Sequence, residues 1–328
     1  MEMIRVHLRT ESKGVNMGGV FRILSIDGGG IRGVYPAHVL RSIEELLQIN
    51  LFDTFDMIAG TSTGSIIAAG VATGVPAADI VAMYKEHGAG IFRKKQFFLP
   101  GKSVQPMFDS VYDAQYLESV LTEVFQDKRL GDIEKPLLLP STDIGNGCVH
   151  VLKSGYSKEF TRDNAVLVKD AVLASCSAPT YFDPHRLNEY LLADGGLWAN
   201  NPALAAVIDA QKRLGITQDD IQVLSIGTGH SKTMYGTNAS RKWGLINGWK
   251  HKEFISFILS LQSQSALNYL NLMLRPGQIK RVDFESDLPL PMDDVSILDD
   301  LISKADHKFT HESESIRAFI QNGGIAGE

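Results

Sequence analysis

A short run of branched apolar residues that stops at three consecutive glycines constrains this chain more than any other feature. Residues 20–27, VFRILSID, are too few for a buried helix and rich in the aliphatic types that fill a buried strand. Residues 28–33 form a glycine turn, and residues 34–48 repeat apolar side chains at helical spacing. Strand, tight turn and helix make half of a βαβ unit, which implies parallel strand pairing with helices laid over the sheet. The pattern recurs at once: residues 55–59 read as a strand, 60–64 as a turn, and a helix follows from about residue 65.

Further along, strands are expected at 137–143, 149–153, 190–193 and 221–226, with helices at 77–87, 116–125 and 163–175. Asn201 stands as a helix cap, with Pro202 at the first helical position, where a missing N–H costs nothing. The expected class is α/β, a three-layer α/β/α sandwich around a mostly parallel sheet. Residues 1–19 read as a loose arm, 20–230 as the core, and 231–328 as a mainly helical, chemically quiet part packed on the same domain. Residues 90–113 read as an irregular flap.

Composition excludes several classes. With 44% hydrophobic and 21% charged residues, 328 residues suffice for a large buried core rather than a disordered or fibrous chain. A net charge of −6 argues against a dedicated nucleic-acid binder. Two cysteines, Cys148 and Cys176, exclude a disulfide scaffold and fit a reducing, cytoplasmic setting. The N-terminus lacks the apolar run of a signal peptide. Two uncharged stretches, 57–78 and 254–274, have the length of a membrane span. Their glycines and amides favour a buried helix for the first and an amphipathic helix for the second. No metal-ligand spacing or calcium loop is present, so neither metal nor cofactor is expected.

Three motifs carry chemistry. The first, Asp27 to Gly33, reads DGGGIRG and fits G-x-G-x-x-G at Gly28, Gly30 and Gly33. Alone it fits a dinucleotide fingerprint, an anion cradle or a bare turn; its glycines let backbone N–H groups approach an anionic oxygen. The second, Gly60 to Gly64, reads GTSTG between strand and helix, the context of a nucleophile elbow presenting Ser62. A small-residue turn with a capping serine is the bland alternative. The third, Asp194-Gly195-Gly196, is an ordinary turn signal unless its place at a strand end brings it to the same sheet edge as the other two.

DGGGIRG, GTSTG and DGG, in that order and joined by SCSAPTYFDP at 175–184, resemble the patatin-like phospholipase family over roughly residues 20–230. The resemblance implies a patatin-like sandwich and a Ser–Asp dyad without histidine. Ser62 would attack an ester carbonyl, and Asp194 would take its proton and then activate water. The N–H groups of Gly28, Gly29 and Gly30 would form the oxyanion hole. Arg32 would either brace the loop or face a lipid phosphate, with Gly60, Gly64, Gly195 and Gly196 in support. The substrate implied is phospholipid at a membrane surface, met peripherally from the cytoplasm. Bacterial members of this size include anti-phage effectors switched on by a cyclic dinucleotide, which adds that ligand as an expected activator.

Three other readings stay open. His230 lies in the chain order of a Ser–acid–His triad. A nucleotide-binding oxidoreductase would use the glycine loop but needs an acid near the end of the second strand, where GTSTG stands instead. A catalytically idle binding or storage protein would keep the scaffold alone. The basic cluster Arg93, Lys94, Lys95 reads as a solvated charge run or a contact for anionic headgroups, and Phe97 and Phe98 as core or lipid-facing.

Overall fold

A computed structural model describes residues 19–95, 110–231 and 251–322. Its strands in chain order are β1 (Phe21–Ile26), β2 (Met57–Gly60), β3 (Leu137–Asp143), β4 (Cys148–Lys153), β5 (His185–Leu187), β6 (Tyr190–Asp194), β7 (Ile221–Ile226), β8 (His230–Ser231), β9 (Ile279–Val282) and β10 (Glu285–Ser286). Its α-helices are α1 (Val34–Leu47), α2 (Leu51–Thr54), α3 (Thr63–Ala72), α4 (Ala77–Ile91), α5 (Ala114–Phe125), α6 (Val168–Cys176), α7 (Gly196–Ala199), α8 (Ala203–Arg213), α9 (His251–Met273) and α10 (Leu298–Asn322).

Parallel pairing runs β3-β2-β1-β7-β9, and β4, β5 and β6 complete an eight-stranded sheet in antiparallel sense. Alternation along each strand feeds two cores. Leu24, Ile26 and Ile58 point into one, filled by α1, α3, α4, α5, α6 and α10. Phe21, Ile23 and Met57 point into the other, under α8 and α9. Helices on both faces make the expected three layers.

The third strand places the site. β2 is short and pairs only with Leu137 and Leu138 of β3. β4 occupies the opposite edge of β3 from Leu138 to Asp143. The edge beyond β2 is therefore open to β6, which pairs with Ser141–Asp143 in the reverse direction and ends at Asp194 opposite Ser141. Asp194 thus reaches the end of β2 from the other side, a correction to the expected convergence of parallel strand ends.

Several element bounds moved for local reasons. The helix expected from residue 116 starts at Ala114, because the Asp113 side chain accepts from the Gln115 N–H at 2.9 Å. The cap falls one residue later than expected: Pro202 is the N-cap and α8 begins at Ala203, while Asn201, just before it, accepts from the Ala203 N–H at 3.0 Å. The part after residue 230 is less uniformly helical than expected: β9 joins the central sheet beside β7, and β10 pairs with β8. The first uncharged stretch is interior over β2 and α3, every residue of which is buried, with Ser62 in the turn between them half-buried. Among the described residues, no helix is long and apolar enough to cross a membrane. Most of the expected arm, the flap at 96–109 and Phe97–Phe98 lie outside the described residues; Lys95 pairs with Asp183 at 3.1 Å.

Candidate active site

The turn between β2 and α3 is compressed. Ser62 holds φ 54° and ψ −127°, a left-handed conformation that a non-glycine residue adopts only when its surroundings enforce it. The enforcement is visible on both sides. A Cβ on Gly60 would lie 2.1 Å from the Gly64 carbonyl oxygen, and one on Gly64 would lie 2.3 Å from that of Ile26. The Gly64 N–H closes the turn onto the Thr61 carbonyl at 2.8 Å. The Ser62 N–H donates to Ser175 Oγ at 3.0 Å, and that hydroxyl donates to the Pro140 carbonyl at 2.6 Å. The turn therefore lifts the Ser62 side chain clear of the sheet at the positive end of α3.

Asp194 meets it there. Its side chain is buried, lines the same cavity as Ser62, whose hydroxyl helps to stabilise its charge, and accepts from the Gly196 N–H at 2.6 Å. Burial pushes the carboxyl up to about 6 against the pull of these two donors. Gly195 packs its Cα against the Pro140 carbonyl, where a Cβ would sit 2.3 Å from the oxygen.

The glycine loop departs from expectation at one position. The Gly28 N–H is already given to the Asn200 carbonyl at 3.0 Å, so it is not an available oxyanion donor. The N–H groups of Gly29 and Gly30 have no hydrogen-bond partner among the described residues, and both glycines border the cavity that holds Ser62. Arg32 is buried, donating through Nε to the Gly29 carbonyl at 3.1 Å and through Nη1 to the Gly229 carbonyl at 3.0 Å. Desolvation lowers its pKa to about 10, still cationic at neutral pH. Of its two expected roles, the geometry supports bracing the loop, since Arg32 does not line the Ser62 cavity.

That cavity measures about 140 Å³. Ser62, Asp194 and the two glycines form its polar floor, and Ile66, Leu117, Phe92, Phe182 and Met292 are among its apolar walls. Among the described residues, no histidine lines it. His230 instead lines a second cavity and sits 3.7 Å from Asp283, which raises its pKa by hydrogen bonding.

One element of the site had no counterpart in the sequence reading. Arg281 of β9 forks onto the Asp27 carboxylate at 2.7 and 3.0 Å and reaches Asp283 at 2.8 Å. Asp283 in turn accepts from the Gly229 N–H at 2.9 Å. The supposedly quiet C-terminal part thus anchors the first residue of the glycine loop. The sequence signal was the alternation in IKRVDF at 279–284, obscured by Lys280 and Arg281 in place of apolar residues. Among the described residues, no group of three or more His, Cys, Asp or Glu side chains is placed to hold a metal.

An α/β/α sandwich with a strained serine elbow, a buried carboxylate at the same cavity and a glycine loop fits the class of serine ester hydrolases. Within it the chain belongs to the patatin-like phospholipase family, whose model matches residues 24–207. It is similar to a cGAMP-activated phospholipase of Pseudomonas aeruginosa, at 34% identity over 63% of this chain and 62% of that one. A cGAMP-activated phospholipase of Vibrio cholerae is 29% identical over 93% of both chains. A cUMP-AMP-activated phospholipase of Escherichia coli is 33% identical over 64% of this chain and 65% of its own length.

Proposed function

We propose that the chain is a phospholipase A-type lipid acyl hydrolase that works through a Ser62–Asp194 dyad and an acyl-enzyme. The observation that carries this is that Ser62, on a strained turn, and a buried Asp194 line one otherwise apolar cavity. A carboxylate raised to about 6 is still ionised at pH 7 and is a better proton acceptor than an exposed one. Ser62 Oγ bonds to the ester carbonyl carbon as its proton passes to Asp194. The carbonyl oxygen becomes an oxyanion facing the N–H groups of Gly29 and Gly30. The alcohol leaves with the proton from Asp194, and the fatty acyl group stays on Ser62. Water then attacks with Asp194 again as base, releasing the fatty acid.

Residues 20–230 supply this machinery, and the part after 230 braces it through Arg281. The enzyme acts peripherally at the phospholipid surface, and its apolar cavity takes the acyl chain. By similarity to relatives named for cGAMP and cUMP-AMP activation, a cyclic dinucleotide is the activator, and membrane damage during anti-phage defence is the outcome. A fluorophosphonate probe tests the dyad directly. It should label Ser62 in the wild type, fail on Ser62→Ala, and label Asp194→Asn far more slowly. Labelling elsewhere, with Ser62 unmodified, would contradict the proposal.

A further inference from the structure

The glycine loop has a cavity on each side. The second measures about 190 Å³ and shares Asn200 and Leu259 with the first. Its walls mix apolar surface, including Leu259 and Leu267, with polar and charged side chains. One face of α9 presents Ser256, Ser260, Ser263 and Gln264 to it, at the i, i+4, i+7, i+8 spacing that an amphipathic helix normally fills with apolar side chains. Ser263 already donates to Asp27 at 3.1 Å and accepts from the Asn200 amide at 3.0 Å, and Ser260 accepts from Gln264 at 3.0 Å, which leaves the half-buried Ser256 and Ser260 with a hydroxyl proton to give.

Arg32 borders the same cavity. It is 6% exposed, and its guanidinium is held only by two neutral carbonyls. Nη2 has no hydrogen-bond partner and Arg32 no ion-paired carboxylate among the described residues. The carboxylates nearby, Asp27 and Asp283, are both taken by Arg281. His230, favoured in its protonated form by Asp283, brings the basic groups around the cavity to three against those two. A buried guanidinium without an anionic partner is a costly arrangement that an incoming anion relieves.

We propose that this cavity is a regulatory site for the phosphodiester of a nucleotide, with Arg32 as its charged anchor and the hydroxyls of Ser256 and Ser260 as further donors. The route to the chemistry is covalent geometry. The Gly29 carbonyl and the Gly30 N–H are opposite ends of one planar peptide unit. The guanidinium that holds the carbonyl at 3.1 Å therefore sets the direction in which the N–H points. An anion on Nη2 fixes that guanidinium and, with it, the oxyanion donor. The consequence for activity rests on the hydrolase reading above; the binding site does not.

The test is calorimetry on the full chain with cyclic GMP–AMP, cyclic UMP–AMP and, as a soluble lipid-headgroup phosphodiester, glycerophosphoglycerol. Ser260→Leu fills the cavity from α9; Gln264→Ala, on its rim, is the second variant should the first fail to fold. A cyclic dinucleotide should bind the wild type and Ser62→Ala alike. Ser260→Leu, with its melting temperature kept, should bind at least roughly tenfold more weakly, as a steric block in the pocket requires. Gln264→Ala should also weaken binding. Undiminished binding by the cavity variants would overturn the site. Binding of glycerophosphoglycerol alone would overturn the nucleotide as its occupant. Binding of neither would overturn the site and the proposed activator together. Fatty-acid release without nucleotide would then still separate the hydrolase reading from both.

Discussion

Arg32 Nε donates to the Gly29 carbonyl at 3.1 Å, and that carbonyl shares its peptide plane with the Gly30 N–H. A fork that holds two carbonyls, Gly29 and Gly229, cannot be replaced by the point charge of lysine. Arg32→Lys should lower kcat by about 10²-fold, the scale of a misaligned oxyanion donor, with little change in KM. Steady-state kinetics on a soluble ester would show it; a change confined to KM would place Arg32 in substrate binding.

Asp27 and Arg281 form a buried fork 254 residues apart in sequence. Arg281→Ala leaves the Asp27 carboxylate buried without its partner, which costs about 3–5 kcal/mol in other proteins. A matching loss in urea unfolding is expected, larger than for Asp27→Asn combined with Arg281→Met. Unchanged unfolding of Arg281→Ala would show the fork to be unimportant for folding.

Ser62 sits at φ 54°, where glycine meets no Cβ penalty. Ser62→Gly should remove activity yet raise stability by about 1 kcal/mol as the backbone strain is relieved. A thermal unfolding scan checks it, and a destabilised Ser62→Gly would mean that the turn is not strained.

Asp194 has its carboxyl raised to about 6 by burial. Between its ordinary value near ~3.9 and that folded value, the folded chain holds a proton that the unfolded chain has lost. This group therefore contributes stability at low pH that is lost as pH rises through about 6. Activity has the opposite sign, because the base must be ionised. kcat/KM should climb through about pH 6 to a plateau, and Asp194→Asn should be inactive but more stable than wild type at pH 7. A profile already flat below pH 5, or a less stable Asp194→Asn, would contradict the burial argument.

The residues that sequence alone made legible are those whose role is written in local backbone chemistry. GTSTG marks Ser62 because only small residues fit that turn, and the parallel βα units follow from apolar runs ending in glycine. Asp194 was legible as a turn residue, but its approach on an antiparallel strand depends on how little of β3 is covered by β2. Gly28 looked equivalent to Gly29 and Gly30, and only the tertiary hydrogen bond to Asn200 separates them. The Asp27–Arg281 fork joins residues too distant for any spacing rule, and Arg281 itself disguised the strand that carries it.

The central claim is that Ser62 and Asp194 together hydrolyse phospholipid esters. Fatty-acid release from mixed phospholipid vesicles, measured with and without cyclic dinucleotides, tests it for wild type, Ser62→Ala and Asp194→Asn. Release by the wild type that disappears in both variants, each still folded, is the expected result. Release that persists in either variant, or no release by the wild type under any condition, would contradict it.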